Sequence, residues 1–194
     1  PAATPAPQIV TQTKVVEKVV EKVVEKAVTA TPVPRNKVLR IGMTYADLGT
    51  MDPHLASSTK DRALVDMIFN GLLRYKPGDA KVFEPDLAEA IPEPEMVNGK
   101  QVWTFKLRKG VMVQQCDSVP AYELTSEDVV YSFKKASNPE RSAYAGEYDG
   151  MTFEAIDPYT VKITLDQPLS SVLFFPKVAD YSGGFIVPKK PIEA

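Results

Sequence analysis

The sequence predicts a mixed α/β domain carried on a low-complexity tail, and three patterns lead to that reading. Residues 102–108 alternate strictly: Trp103, Phe105 and Leu107 share one face, and Thr104, Lys106 and Arg108 share the other. That is the period of a half-buried strand. Thr125 opens a helical pattern with Asp128 at its third position and Val129, Val130, Phe133 and Ala136 as its apolar side. Met151–Ile156 and Thr160–Leu165 are two extended runs on either side of Asp157-Pro158, the signature of a hairpin. These strands and helices do not alternate cleanly, so a simple doubly wound sheet is not predicted.

The remaining elements follow in chain order. Residues 1–13 are Pro, Ala, Thr and Gln with almost nothing to bury, so they are expected to be disordered or extended. A Val-Val-Glu-Lys repeat follows from Val15. Its valines recur close to the helical period, but Glu17, Glu21 and Glu25 set like charges at i,i+4, and valine is a mediocre helix former. An isolated helix of this length is marginal in water. The segment therefore reads as a solvated spacer, with a short self-associating helix as the alternative. Thr29–Pro34 returns to Pro/Thr linker, so residues 1–35 form a tether and residues 36–194 the folded body. Val38–Thr44 reads as its first strand. Residues 58–72 read as a helix with Leu64, Met67, Ile68 and Leu72 on one face, Ser58 as cap and Asp61 in the first turn. Pro168 precedes a final apolar segment ending at Ala179.

Composition narrows the function classes. The chain has 194 residues, 44% of them hydrophobic, enough for one domain with its own core. No run approaches the ~18 apolar residues of a membrane-spanning helix. The chain opens at Pro1 without Met and shows no leader, which reads as a mature or trimmed form. The tail carries a net +2, so the body carries −4 of the overall −2. A mildly acidic body offers no basic stripe for phosphates, so nucleic acid is not expected as a partner. Cys116, the only cysteine, reads as a small buried apolar residue; the alternatives are half of a bridge to a partner outside this chain, or a catalytic thiol. The only histidine is His54. No G-x-S-x-G, no phosphate-binding glycine loop and no H-E-x-x-H occurs, and no metal-ligand spacing is present, so neither catalysis nor a cofactor is expected.

Six segments, read in order, go further. They are Met51-Asp-Pro-His54, Asn70-Gly-Leu-Leu73, Pro85-Asp-Leu-Ala-Glu89, Trp103-Thr-Phe-Lys-Leu-Arg-Lys-Gly110, Leu124-Thr-Ser-Glu-Asp-Val-Val-Tyr-Ser132 and Thr160-Val-Lys-Ile-Thr-Leu165. In this order and spacing the chain resembles the extracellular solute-binding proteins of family 5, the peptide and nickel type that serve ATP-driven uptake transporters. The resemblance implies the first lobe of a periplasmic-binding-protein-like fold (type II, cluster C), with a second lobe beyond Ala194. It implies an extracytoplasmic place, a peptide or similar small ligand, ABC transporter permease subunits as partners, and a membrane tie through an N-terminal lipid anchor. It also implies a ligand site. The segment after the Asp-Pro-His turn lies along the ligand in such relatives, and here it falls on Ser57, Ser58 and Thr59 beside a helix N-terminus. A tyrosine after the second helix faces the ligand, and here it is Tyr144, which offers a ring face and a hydroxyl. The local alternative is that Ser58 only caps its helix, Ser57 and Thr59 are solvated, and Tyr144 packs. One stretch departs from the family pattern: Val113–Leu124 is longer and lacks the usual Asp-Gly turn, so that loop is expected to differ. The alternative function is a structural surface lipoprotein that reuses this lobe. A secreted hydrolase would have to rest on Cys116 and His54 alone.

Overall fold

The computed structural model describes Gly42 and residues 47–194. The tether over 1–35 and, but for Gly42, the strand over Val38–Thr44 lie outside the described residues.

The central element is a four-stranded antiparallel sheet. Its strands are β3 (Glu95–Val97), β4 (Lys100–Lys106), β7 (Met151–Asp157) and β8 (Thr160–Leu165), ordered β3-β4-β8-β7. Asn98 and Gly99 join β3 to β4 with φ of 52° and 80°. Both central residues of this two-residue turn are left-handed, which asparagine and glycine tolerate and most residues do not. The alternation of β4 becomes burial: Trp103, Phe105 and Leu107 are at most 1% exposed. They share a face with their cross-strand partners, because Trp103 pairs with Ile163, Phe105 with Val161, and Ile163 in turn with Phe153.

A helix covers that face. Among the described residues it is the second of four in chain order: α1 (Thr59–Val65), α2 (Ser126–Ala136), α3 (Ser171–Phe174) and α4 (Lys189–Glu193). α2 packs on β7 and β8. It starts where the sequence predicts, after Thr125, whose backbone N–H donates to Asp128 Oδ2 at 3.0 Å. Phe133 stacks on Phe153 with ring centroids 5.0 Å apart. At the other end of the core Trp103 stacks on Phe174 of α3 at 4.6 Å. Aromatic rings of this size bury more area per side chain than aliphatic residues do, so they weigh heavily in the core. The Trp103 indole N–H is buried without an acceptor among the described residues.

Two smaller units complete the body. β1 (Leu73–Lys76) and β2 (Asp79–Pro85) form a hairpin, and β5 (Met112–Val113) pairs with β6 (Tyr122–Glu123). The connection between β5 and β6 holds Asp117 at φ 46°, a left-handed position usually left to glycine. The loop that lacks the Asp-Gly turn therefore makes its tight turn with a non-glycine residue. Cys116 in this connection is exposed, which corrects the expectation that it is buried.

The first helix also differs from expectation. α1 ends at Val65, not at residue 72. Met67 and Ile68 keep the helical spacing but are 61% and 48% exposed. The chain must leave the helix to bring Gly71 against the backbone of Ala179, where a Cβ would lie 2.4 Å from the Ala179 carbonyl carbon. Leu72 and Leu73, both buried, then enter the core as extended chain rather than as helix.

Candidate functional site

The segment 52–59 is held from three sides. Asp52 and Pro53 make the turn: Asp52 Oδ1 accepts the His54 N–H at 3.0 Å, and the Asp52 carbonyl accepts the Ala56 N–H at 2.9 Å. Behind the turn lies a buried ionic group. Lys135 of α2 is 6% exposed, and its ammonium stands 2.8 Å from both carboxylate oxygens of Asp52 and 3.2 Å from His54 Nδ1. His54 is fully buried, with Nε2 3.0 Å from the Phe185 carbonyl. An ammonium only donates and a carbonyl only accepts, so His54 carries its proton on Nε2 and accepts at Nδ1. Burial, with the Lys135 charge second, lowers the His54 pKa from 6.5 to about 4. The imidazole is neutral at physiological pH and pins the turn to the extended segment at Phe185. Ala56, Val65 and Phe185 form a small apolar cluster beneath.

The second side is the loop after α2. Ala143 N–H donates to the His54 carbonyl at 2.9 Å. Ser142 Oγ accepts the Tyr144 N–H at 3.0 Å, and the Tyr144 hydroxyl donates to the Ala56 carbonyl. The third side is α1 itself. Ser58 caps it, its hydroxyl accepting the Asp61 N–H at 3.3 Å. Asp61 is buried and accepts the Gly49 N–H at 2.9 Å, and that bond is the main reason its carboxyl lies below the usual range.

The four residues expected to face a ligand are therefore brought to one corner of the fold. Ser57 and Thr59 are exposed, Ser58 and Tyr144 are half-buried. The Ser58 hydroxyl is used as a cap, and α1, seven residues long, is too short to present a developed dipole at its N-terminus. The Tyr144 hydroxyl is also used. Besides donating to Ala56 it accepts Arg62 Nη2–H at 3.0 Å and Nε–H at 3.3 Å. What Tyr144 presents is its ring. That ring lines a cleft of about 480 Å³, with Tyr148, Met151, Leu169 and Tyr181 among the other walls. Glu147 and Lys177 stand at the same cleft and pair with each other. Ser57, Ser58 and Thr59 are not among its walls. A second hollow, about 690 Å³, lies beside β1, β2 and α3 and includes none of the four.

Sequence reasoning missed Asp52, His54 and Lys135 as a group, and Arg62 and Tyr181 as neighbours of Tyr144. No local pattern marks Lys135: at about 100° per residue it lies away from the Val129, Phe133 and Ala136 stripe, on the side of α2 that carries Asp128 and Ser132, and its burial comes from contacts with distant segments. His54 and Cys116 form no catalytic pair. His54 spends both ring nitrogens internally, and Cys116 is exposed in the β5–β6 connection. Among the described residues no group of His, Cys, Asp and Glu could hold a metal ion, and no helix is long and apolar enough to cross a membrane.

Comparison with known proteins places this geometry in context. The family model described as bacterial extracellular solute-binding proteins, family 5 Middle, matches residues 82–192. The dipeptide-binding protein of Escherichia coli K12 is 33% identical over 133 residues, covering 60% of this chain and 24% of that protein. The binding protein MoaA of A. tumefaciens R10, solved in complex with mannopinic acid, superposes with a TM-score of 0.65 at 41% identity, covering 76% of this chain and 29% of that one. The periplasmic binding protein DppA of Helicobacter pylori, in complex with the peptide STSA, superposes at 0.61 with 26% identity over 76% of this chain and 30% of that one. The chain thus spans about a quarter of the curated relative and under a third of the solved chains. All three relatives are binding proteins rather than enzymes.

Proposed function

This chain belongs to the bacterial extracellular solute-binding proteins of family 5 and has the type II, cluster C periplasmic-binding-protein fold; from that premise we propose that it supplies the first lobe of the substrate-binding component of an ABC uptake transporter. The ligand is a peptide or similar small solute. Residues 36–194 form the lobe, residues 1–35 form a tether, and an N-terminal lipid anchor holds the tether to the membrane, where permease subunits receive the ligand.

One observation carries the site. Two segments separated by some 80 residues, 54–59 and 142–144, are joined through the Ala143–His54 and Tyr144–Ala56 hydrogen bonds, and Tyr144 also lines an apolar cleft. Ser57 and Thr59 supply exposed hydroxyl and backbone groups on the first segment, Ser58 fixes that segment, and Tyr144 of the second supplies an aromatic wall of the cleft. Such a mixture, largely apolar with a few placed polar groups, suits a small ligand. Nothing in the named relatives favours the scaffold alternative, and their ligands, a dipeptide, mannopinic acid and a tetrapeptide, are all small solutes. The test is calorimetric titration of the full-length protein with the dipeptide Ala-Phe and with mannopinic acid. Saturable binding of at least one, with the compound recovered unaltered, is expected. No binding of either, or chemical conversion of either, would overturn the reading.

A further inference from the structure

Arg62 lies on α1, one turn beyond the exposed Ser57–Thr59 segment, and its guanidinium is within 6 Å of two ring centroids, Tyr144 at 5.6 Å and Tyr181 at 5.4 Å. Both rings line the 480 Å³ cleft, whereas Arg62 does not. No carboxylate among the described residues stands within ion-pair distance of Arg62, although Asp66, one turn along, feels its charge. The guanidinium instead directs Nε and Nη2 at the Tyr144 hydroxyl, and it also hydrogen-bonds the Tyr181 side chain. That hydroxyl has one proton and two lone pairs. The proton goes to the Ala56 carbonyl, and the two N–H groups take the lone pairs. The hydroxyl is therefore saturated, and the ring cannot withdraw without breaking three bonds. A half-buried arginine would ordinarily be matched to a carboxylate. Here it is matched to two tyrosines, Tyr144 and Tyr181, an arrangement that fixes ring positions rather than neutralising charge.

We propose that Arg62 is a positioning residue for the ligand site: it locks the Tyr144 ring, and through Ala56 the 57–59 segment, into the geometry that meets the ligand. The ligand is then met at Tyr144 by the ring face alone, with the hydroxyl serving the fold. This rests on the uptake reading above, because it gives Tyr144 a ligand to meet.

Positioning through a shared hydroxyl makes a distinctive prediction: the effects of Arg62 and of the Tyr144 hydroxyl on affinity must not add. The experiment is a double-mutant cycle in the full-length protein with Arg62→Met, Tyr144→Phe and both together, titrated with Ala-Phe and mannopinic acid, whichever wild type binds more tightly. Arg62→Lys accompanies them, since it folds under the mildest change and keeps the charge without the fork. Each single variant is expected to lose about tenfold in affinity, the double to lose no more than the worse single, and Arg62→Lys to fall between wild type and Arg62→Met. A merely structural arginine would lower the melting temperature without this coupling. Losses that multiply in the double variant, or wild-type affinity in Arg62→Met or in Arg62→Lys where the former does not fold, would overturn the proposal while leaving the uptake reading intact. Failure of the wild type itself to bind either probe would overturn both, and is recognised by appearing before any substitution is made.

Discussion

The Lys135 ammonium stands 2.8 Å from both carboxylate oxygens of Asp52, across 83 residues of sequence. The lysine side chain is 5% exposed and the aspartate 32%, so the pair is buried at one end and reaches water at the other. Removing the anion strands a buried cation. Asp52→Ala is expected to cost about 3–5 kcal/mol in chemical denaturation, and Lys135→Met distinctly less, because an apolar replacement leaves no buried charge behind. Equal losses in the two variants would mean that the pair contributes through packing and not through charge.

The His54 ring gives this corner a pH dependence of definite sign. Its pKa is about 4 in the fold, below the 6.5 of an unfolded chain. Between those values the unfolded state binds the extra proton and the folded state does not, so stability is complete above pH 6.5 and declines as the pH falls toward 4. The loss approaches about 3 kcal/mol over that window. Denaturation midpoints at intervals from pH 7.5 to 4 should show the decline, and in His54→Gln the slope should flatten although the variant starts from a lower stability. The charged neighbours that face the ring are Lys135, Asp52 and Arg141. An unchanged slope in His54→Gln would assign the acid sensitivity to other groups.

How much of this was legible in the sequence depends on the range of the constraint. The strand around Trp103, the hairpin around Asp157-Pro158 and the Thr125 cap are written in neighbouring residues, and all three formed as predicted. The helix from Ser58 starts as predicted and stops early, because what ends it is the approach of Gly71 to Ala179, more than a hundred residues away. Met67 and Ile68 keep the right period with no core beneath them. The Asp52–Lys135–His54 group is likewise a tertiary meeting that no local window contains. Of the site, Ser57, Ser58, Thr59 and Tyr144 were reached only through resemblance; spacing alone could not tell a capping serine from a ligand contact, and Ser58 is indeed a cap.

Trp103 is 1% exposed and stacked on Phe174, so truncation removes a large part of the core. Trp103→Ala is expected to cost about 3–5 kcal/mol. Trp103→Phe should cost much less, since it keeps a ring against Phe174 and deletes an indole N–H that has no acceptor among the described residues. Near-wild-type melting of Trp103→Ala would contradict the core assignment.

Cys116 sits exposed in the β5–β6 connection. A thiol reagent should modify it in the native state without prior unfolding, and Cys116→Ser should leave both melting temperature and ligand affinity within about 0.5 kcal/mol of wild type. Modification that requires denaturant would place the thiol in the interior after all.

The central claim is that the segment 57–59 and Tyr144 meet the ligand from this lobe. The most direct measurement is the affinity of the full-length protein for Ala-Phe or mannopinic acid in Thr59→Trp and in Tyr144→Ala, with melting followed in parallel. Thr59 is exposed, so a tryptophan there is tolerated by the fold and intrudes only on what lies above it. Both variants are predicted to lose more than about tenfold in affinity, 1.4 kcal/mol, with Thr59→Trp melting as wild type does. Unchanged affinity in both would contradict the account and put the ligand elsewhere.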